Sequence, residues 1–216
     1  NGSGYVLQGE KSLVPLAETA ELFLVAATLN GKPRIFIVES GTAGVTVKKE
    51  NGMGVRAAAL GSIHLEQVQV DQNALLGDDS FDYLSFINYA RLGWCALAVG
   101  TAKAVLEYCI NYANERIAFG EPISHRQAVA FMIANIGIEL DSMQIMTQRA
   151  LALAEQGKPF AREAYLARVL CAEKSMEIGT NGVQILGGHG FTKEHPVERW
   201  YRDLRAVALM EGGLHL

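Results

Sequence analysis

A glutamate near the C-terminal end of the sequence has the setting of a catalytic base. Glu211 follows the apolar run 206–210, and Gly212 and Gly213 come directly after it. Burial in apolar surroundings raises the pKa of a carboxyl group toward that of a usable general base. The glycines leave backbone N–H groups open to a substrate oxygen. Taken alone, the pattern also fits a solvated terminal glutamate.

An arginine interrupts an apolar helical seam. Arg91 lies between Ile87 and Trp94 at helical spacing, so its side chain is expected to point inward. A buried guanidinium is costly unless a carboxylate or an anionic ligand pairs with it. Arg91 is therefore either half of an ion pair within a helical bundle or a binding group for an anion.

Three glycines follow an apolar helical segment within four residues. Gly187, Gly188 and Gly190 come shortly after Gln184, whereas an ordinary helix C-cap needs a single glycine. Additional glycines allow a phosphate or another chain to approach the backbone closely. On this pattern alone, a loose cap remains the default interpretation.

The elements that position these residues change character near residue 81. Before it, Gly and Asn residues separate short β-branched runs, which predict an antiparallel sheet or barrel. The predicted strands are Leu22–Ala27, Arg34–Val38, Val45–Lys48 and Ile63–Val70. After it, apolar residues recur at steps of three and four, which predicts an up-down four-helix bundle. The fold class is therefore α+β, with a β domain at 1–80 and a helical bundle at 81–216.

The bundle is predicted from three long seams and a shorter fourth helix that opens at Pro196. Glycine–proline segments at 120–122 and 157–159 separate the long helices. The seams comprise Leu84, Ile87, Arg91, Trp94, Ala98, Thr101 and Val105; Val129, Ile133, Ile136, Leu140 and Met143; and Tyr165, Val169, Ala172, Met176, Gly179, Val183 and Leu186.

Composition excludes several classes of protein. Half of the 216 residues are apolar, and 19 basic against 23 acidic residues give a net charge of −4, which argues against a nucleic-acid-binding surface. No uninterrupted apolar run approaches the roughly 20 residues of a membrane span. The polar opening 1–4 predicts no signal peptide. The three cysteines are expected to be buried free thiols, and no metal-site spacing is present.

Together, several ordered motifs resemble the acyl-CoA dehydrogenase family. They are Arg116-Ile-Ala-Phe-Gly120, Gln184-Ile-Leu-Gly-Gly-His-Gly190 and Pro196-Val-Glu-Arg-Trp-Tyr-Arg-Asp203, the last leading at the family's spacing to Glu211-Gly212. Segments 4–11 and 73–77 extend the resemblance over essentially the whole chain. The chain resembles the family's middle β domain and rear helical bundle, without the front helical domain.

The resemblance implies a flavin-dependent oxidoreductase that dehydrogenates a fatty acyl-CoA. By this analogy Glu211 removes the α-proton while the β-hydride passes to N5 of FAD. The backbone N–H of Glu211 helps to polarise the thioester carbonyl, and Gly212 belongs to the substrate site. Arg91 matches the family's arginine beside the catalytic glutamate.

The resemblance also assigns the cofactor and the partners. Arg116, Phe119, Gln184, Gly187 and Gly188 match positions that hold the FAD of a neighbouring subunit. The expected assembly is a homo- or hetero-oligomer, either a dimer or a tetramer. An electron-transfer flavoprotein is the expected electron acceptor, in a bacterial cytoplasm or a mitochondrial matrix.

The sequence departs from the family pattern at two places. Leu13-Val14-Pro15 stands where the family has Trp-Ile-Thr or Trp-Ile-Ser, and Gly213 replaces the threonine after Glu-Gly. These changes weaken the grip on flavin within one subunit but leave the contacts offered to the neighbour. Two alternatives therefore stay open. One is a non-catalytic or half-site subunit that stabilises a catalytic paralogue, and the other is a flavin oxidase.

Overall fold

The computed structural model describes residues 4–77 and 80–213. The opening residues 1–3, on which the signal-peptide expectation partly depends, lie outside this range. The chain divides into two compact units, Asn1–Leu84 and Ser85–Leu216. The first consists mainly of strands and the second mainly of helices, so the predicted α+β class with small antiparallel sheets and four helices is confirmed.

The first unit contains two small antiparallel sheets. Its strands are β1 (Gly4–Val14), β2 (Leu22–Leu29), β3 (Lys32–Glu39), β4 (Val45–Lys49) and β5 (Gly61–Asp71). One sheet has the order β1-β5-β4, and β2 pairs with β3 in the other. Asn30 and Gly31 form the two-residue loop of the β2–β3 hairpin with φ of 51° and 78°, as a type I′ turn requires. Phe23, Val38 and Val68 belong to the apolar core of this unit.

The sequence analysis missed β1 because its glycines were interpreted as breaks. Gly4 is required by close packing, since a Cβ there would lie 2.5 Å from the carbonyl oxygen of Val70 on the paired strand. Gly9 has φ +143° and sits where the β1–β5 register shifts. Glycine within a strand often marks a bulge or a close backbone approach rather than its end.

The second unit contains three long helices and one short helix. They are α1 (Tyr83–Glu115), α2 (Gln127–Glu155), α3 (Ala161–Ile185) and α4 (Val197–Leu204), with α1 beginning two residues before the unit boundary. The predicted separators fall between the long helices, and Pro196 immediately precedes α4. A small hairpin of β6 (Ile117–Ala118) and β7 (Glu121–Pro122) lies between α1 and α2.

The predicted seam of α2 is right, whereas those of α1 and α3 are right in part. Most of the other buried positions of α1 and α3 lie one residue from a predicted one. The seam residues buried as predicted are Ala98, Val105, Ala172, Gly179 and Leu186. Leu84 and Tyr165, both predicted to be inward, are 55% and 52% exposed. The buried faces are instead rich in small side chains, which let helices approach closely. A Cβ on Gly182 of α3, for example, would lie 2.7 Å from the Val105 side chain of α1. α1 and α3 carry apolar residues on more than one face, so periodicity alone does not identify the packed one.

By length and composition, α1 and α2 could each cross a membrane, so the expectation of no membrane span is not confirmed. Core helices of soluble proteins share these properties.

All three cysteines are free and buried, as expected. Burial raises the pKa of the Cys109 thiol to about 12. Within the described ranges, no cluster of three or more His, Cys, Asp or Glu side chains could hold a metal ion.

Candidate functional site

The candidate base lies in a strained turn. The chain leaves the short helical segment Arg205–Ala208 and curls through Met210, Glu211 and Gly212, here called the Glu211 turn. Glu211 has φ 56° and Gly212 has φ 83°, both in the left-handed region. For a residue other than glycine, this conformation costs about 1 kcal/mol. It persists only where surrounding contacts hold it.

Arg91 contacts the turn through its backbone. The Arg91 Nε and Nη2 atoms donate to the carbonyl oxygen of Glu211 at 3.4 and 3.3 Å. Among the salt bridges of the described residues, none involves Arg91. Of the two sequence alternatives, the ion pair with a bundle carboxylate is therefore not formed within residues 80–213. Arg91 is instead half-buried beside the candidate base.

A second arginine, which the sequence analysis missed, reaches the same turn from α3. Arg168 is 3% exposed, and its guanidinium donates to the carbonyl oxygen of Met210 at 2.8 Å, to that of Glu211 at 3.4 Å and to that of Gly212. Burial is the main cause that lowers the pKa of Arg168. The charge of Arg91 acts in the same direction, and that of Glu211 opposes it.

The sequence analysis missed Arg168 because it placed Val169, rather than the preceding Arg168, on the packed face of α3. A usable signal was present in the small residues around Arg168: Ala164 lies four residues before it, Cys171 three residues after it, and Ala167 directly before it. These three residues are buried. An arginine within such a small-residue face must point inward, and it then needs acceptors.

The five predicted cofactor positions line one cleft beyond the far end of α1. This cleft, here called the GGHG cleft, has a volume of about 1120 Å³. Its lining includes Arg116, Phe119, Gln184, Gly187, Gly188, Tyr112, Arg126 and His189. The structure therefore brings the five positions together, and the helix α1 separates them from Arg91.

The β6–β7 hairpin supplies cations and an exposed ring to the cleft. Phe119 and Gly120 form its two-residue loop with φ of 55° and 85°. Phe119 is 96% exposed, and the Arg126 guanidinium carbon lies 5.8 Å from its ring centroid. Arg116, just before the hairpin, is also exposed. The Arg126 guanidinium also pairs with Glu121 at 3.0 Å. Arg116 and the aromatic face are therefore the groups that the cleft offers most openly to a ligand.

The three glycines after α3 serve different purposes. Gly190 is required by packing, because a Cβ there would collide with the carbonyl oxygen of Val183. Gly187 adopts φ +56°. Gly188 has neither constraint, since nothing lies within 4 Å of its Cβ position. Its backbone is thus open to the cleft beyond what the fold requires.

Two Tyr–His pairs support this turn. The Tyr112 hydroxyl donates to the carbonyl oxygen of Leu186 at 3.4 Å and hydrogen bonds with His189 Nδ1 at 3.1 Å. The Tyr108 hydroxyl lies 2.7 Å from His195 Nδ1. The two imidazole rings are 5.6 Å apart at their centroids.

Cations, open backbone and an exposed ring together fit the diphosphate and the ring system of a flavin nucleotide.

Residues 13–15, where the sequence departs from the family pattern, lie at and just after the end of β1 in the first unit. Leu13 has φ 56°, and its backbone N–H donates to Glu50 Oε2 at 2.8 Å. The Ser12 hydroxyl donates to Glu50 Oε1 at 2.7 Å. The end of β1 is thus held by a carboxylate, with no hydroxyl at position 15.

Comparison with known proteins identifies the family. The family model for the acyl-CoA dehydrogenase C-terminal domain matches residues 83–214, and that for the middle domain matches residues 1–68. The chain therefore belongs to the acyl-CoA dehydrogenase family, as the motifs indicated.

Individual relatives agree with this assignment. The chain is 34% identical to the mitochondrial short-chain specific acyl-CoA dehydrogenase of Bos taurus, covering 98% of the chain and 54% of the relative. Butyryl-CoA dehydrogenase from Megasphaera elsdenii superposes with a TM-score of 0.89 at 29% identity, covering 100% of this chain and 59% of that one. Glutaryl-CoA dehydrogenase from Mycobacterium smegmatis in complex with FADH2 gives 0.89 at 25% identity, covering 100% and 56%. The chain thus spans little more than half the length of these relatives.

Proposed function

We propose that the protein containing this chain is an FAD-dependent acyl-CoA dehydrogenase that removes the α- and β-hydrogens of a fatty acyl-CoA thioester. One observation carries the proposal: two arginines converge on the backbone of a half-buried glutamate held in a left-handed turn. That geometry fixes the backbone that carries the carboxylate, and Glu211 is only partly exposed, which suits a general base. Family membership and the relatives' names support the substrate class.

In this proposal Glu211 accepts the α-proton on a carboxylate oxygen. Among residues 4–77 and 80–213, the backbone N–H of Glu211 donates to no protein acceptor, so it is free to bind the thioester carbonyl. A donor of this kind contributes roughly 3 kcal/mol to stabilising the enolate-like charge. Arg91 and Gly212 flank the acyl group. FAD, when bound, supplies the acceptor for the β-hydride.

The separation of the two clusters argues for a shared site. Arg91 lies near the start of α1 and Arg116 just after its end, which places them about 36 Å apart along the helix axis. We therefore assign the GGHG cleft to FAD whose reactive ring serves another subunit. An α2 face that exposes Phe131, Ile138 and Ile145 at 59%, 62% and 63% also favours association into a dimer or tetramer.

The remaining assignments follow from the same family. We propose an electron-transfer flavoprotein as the acceptor of the electrons. The location is the mitochondrial matrix or a bacterial cytoplasm, because the relatives include both a mitochondrial and a bacterial enzyme.

The test is the visible spectrum of the natural protein that contains this chain. Flavin absorption that bleaches when butyryl-CoA is added under anaerobic conditions is the expected result. A colourless but stably folded protein would contradict the proposal and favour the half-site subunit. Bleaching followed by rapid reoxidation in air, with hydrogen peroxide formed, would indicate the oxidase.

A further inference from the structure

We infer that Arg168 is a positioning residue for the base: its guanidinium holds the Glu211 turn in the left-handed conformation that carries the carboxylate. The inference rests on the proposed function of Glu211. Nothing in the family assignment gives Arg168 this role, and the sequence pattern overlooked it.

The hydrogen-bond geometry is the first argument. One guanidinium donates to the carbonyl oxygens of Met210, Glu211 and Gly212, which are three successive residues. Successive carbonyls point in alternate directions in a strand and run parallel to the axis in a helix. They converge on one point only where the backbone curls, as it does here with positive φ at Glu211 and Gly212. The planar fork of five N–H donors in arginine matches such a set of acceptors.

The cost of the arrangement is the second argument. Arg168 is almost fully buried, and no carboxylate within the described residues forms a salt bridge with it. The nearby charge of Arg91 adds to the cost, because it lowers the pKa of Arg168. An apolar side chain of similar volume often stabilises a fold at least as well as a buried charge. A buried cation that only satisfies three carbonyls is therefore better explained by the turn it shapes than by bundle stability.

The two arginines differ in what they hold. Arg91 is half-buried and, among the residues that the structure describes, its side chain hydrogen bonds to the Glu211 carbonyl alone, at 3.3 Å or longer. Arg168 spans the whole turn and makes the shorter bond of 2.8 Å to Met210. Arg91 is thus placed to face substrate as well as the turn, whereas Arg168 acts only through the backbone that carries Glu211.

The test compares Arg168→Met with Arg162→Met in the natural holoprotein. Arg162 lies on the same helix, its side chain is 78% exposed, and its guanidinium lies 3.5 Å from the carboxylate of the neighbouring Glu163. Amide hydrogen exchange of Leu209 and Met210, whose N–H groups donate to the Ala206 carbonyl oxygen at 2.9 and 3.0 Å at the base of the turn, and the rate of flavin reduction by butyryl-CoA are both measured. For Arg168→Met we expect faster exchange confined to these amides, and reduction slowed about 100-fold with substrate affinity unchanged. Arg162→Met should match wild type in both measurements.

Wild-type exchange and a wild-type reduction rate in folded Arg168→Met would overturn the inference. If that variant does not fold, Arg168→Lys decides, because an ammonium keeps the charge but donates from one nitrogen only. Faster exchange at the Leu209 and Met210 amides in the lysine variant supports the requirement for the guanidinium, and unchanged exchange there overturns it. If wild type binds no flavin, the proposed function fails, while the exchange comparison still decides whether Arg168 holds the turn.

Discussion

Arg91 and Arg168 donate from different helices to one acceptor, the backbone carbonyl oxygen of Glu211. α1 and α3 are far apart in sequence, so the turn that carries the candidate base is tied to the packing of the bundle. A change that moves one helix relative to the other therefore moves the carboxylate. The chemistry of this site depends on helix packing as much as on the glutamate.

Glu211→Gln should abolish flavin reduction while leaving substrate binding intact. The amide preserves the shape and hydrogen bonding of the carboxylate but cannot accept the α-proton. Loss of a general base typically slows a reaction about 100-fold to 10,000-fold. Rapid-mixing absorbance with butyryl-CoA measures the rate, and Glu155→Gln, at an exposed position, is the matched control. Equal rates in wild type and Glu211→Gln would move the base elsewhere.

Arg91→Met should slow flavin reduction by about 10-fold to 100-fold. Methionine retains much of the length and apolar packing of arginine but removes the charged donors to the Glu211 carbonyl, each worth about 1.5–3 kcal/mol. The rate is measured by rapid mixing, with the exposed Arg149→Met on α2 as control. Unchanged turnover in Arg91→Met would show that the arginine is only a bundle spacer.

Gly188→Ala should lower flavin content without lowering stability, whereas Gly190→Ala should lower stability. An added Cβ meets nothing at position 188, so without FAD the unfolding temperature of Gly188→Ala should match that of wild type, whereas the FAD bound by the holoprotein should decrease. At position 190 it collides with the Val183 carbonyl, which should cost about 2 kcal/mol or more. Circular dichroism and the flavin-to-protein absorbance ratio measure the two effects. Full FAD occupancy in Gly188→Ala would argue against close approach of the cofactor there.

Glu198→Gln should destabilise the fold at neutral pH but not at acidic pH. Arg202 donates to both carboxylate oxygens of Glu198, at 2.8 and 3.1 Å, and these bonds lower the pKa of Glu198. A depressed carboxyl pKa stabilises the fold above the unfolded-state pKa, and the gain is lost as pH falls through the folded pKa. We expect a loss of about 0.5 kcal/mol at pH 7 that shrinks toward pH 3. Urea unfolding measures it, and a pH-independent difference would exclude the ion pair as its cause.

The sequence predicted the order of the helices and strands better than it predicted which face of each helix packs against the bundle. Helix breaks at glycine and proline are local, so the limits of α2 and α3 could be placed from the chain alone. Which face packs depends on neighbours. α2 was correct because Ile136, Leu140 and Met143 form its dominant apolar stripe. In α3, small residues define the contact, and apolar periodicity gives them too little weight.

The candidate site also has a part that the sequence could predict and a part that it could not. The proposed cofactor positions, which line one cleft, could be named from the sequence because short motifs such as 116–120 and 184–190 are continuous. The contact of Arg168 with the Glu211 turn joins positions more than forty residues apart and involves only backbone atoms of the turn. No side-chain pattern records a hydrogen bond to a carbonyl, so this half of the site required the structure.

Phe119 and Phe191 are 96% and 92% exposed. Burying a phenylalanine side chain stabilises a structure by about 1.5–3 kcal/mol. In the folded chain these two rings do not contribute this free energy, and they would contribute it only on contact with another molecule. Anything that covers these rings binds the native state and not the unfolded one, and stabilises it by mass action. The unfolding temperature of this chain therefore depends on the concentration of its binding partners. It should rise with protein concentration and with added FAD.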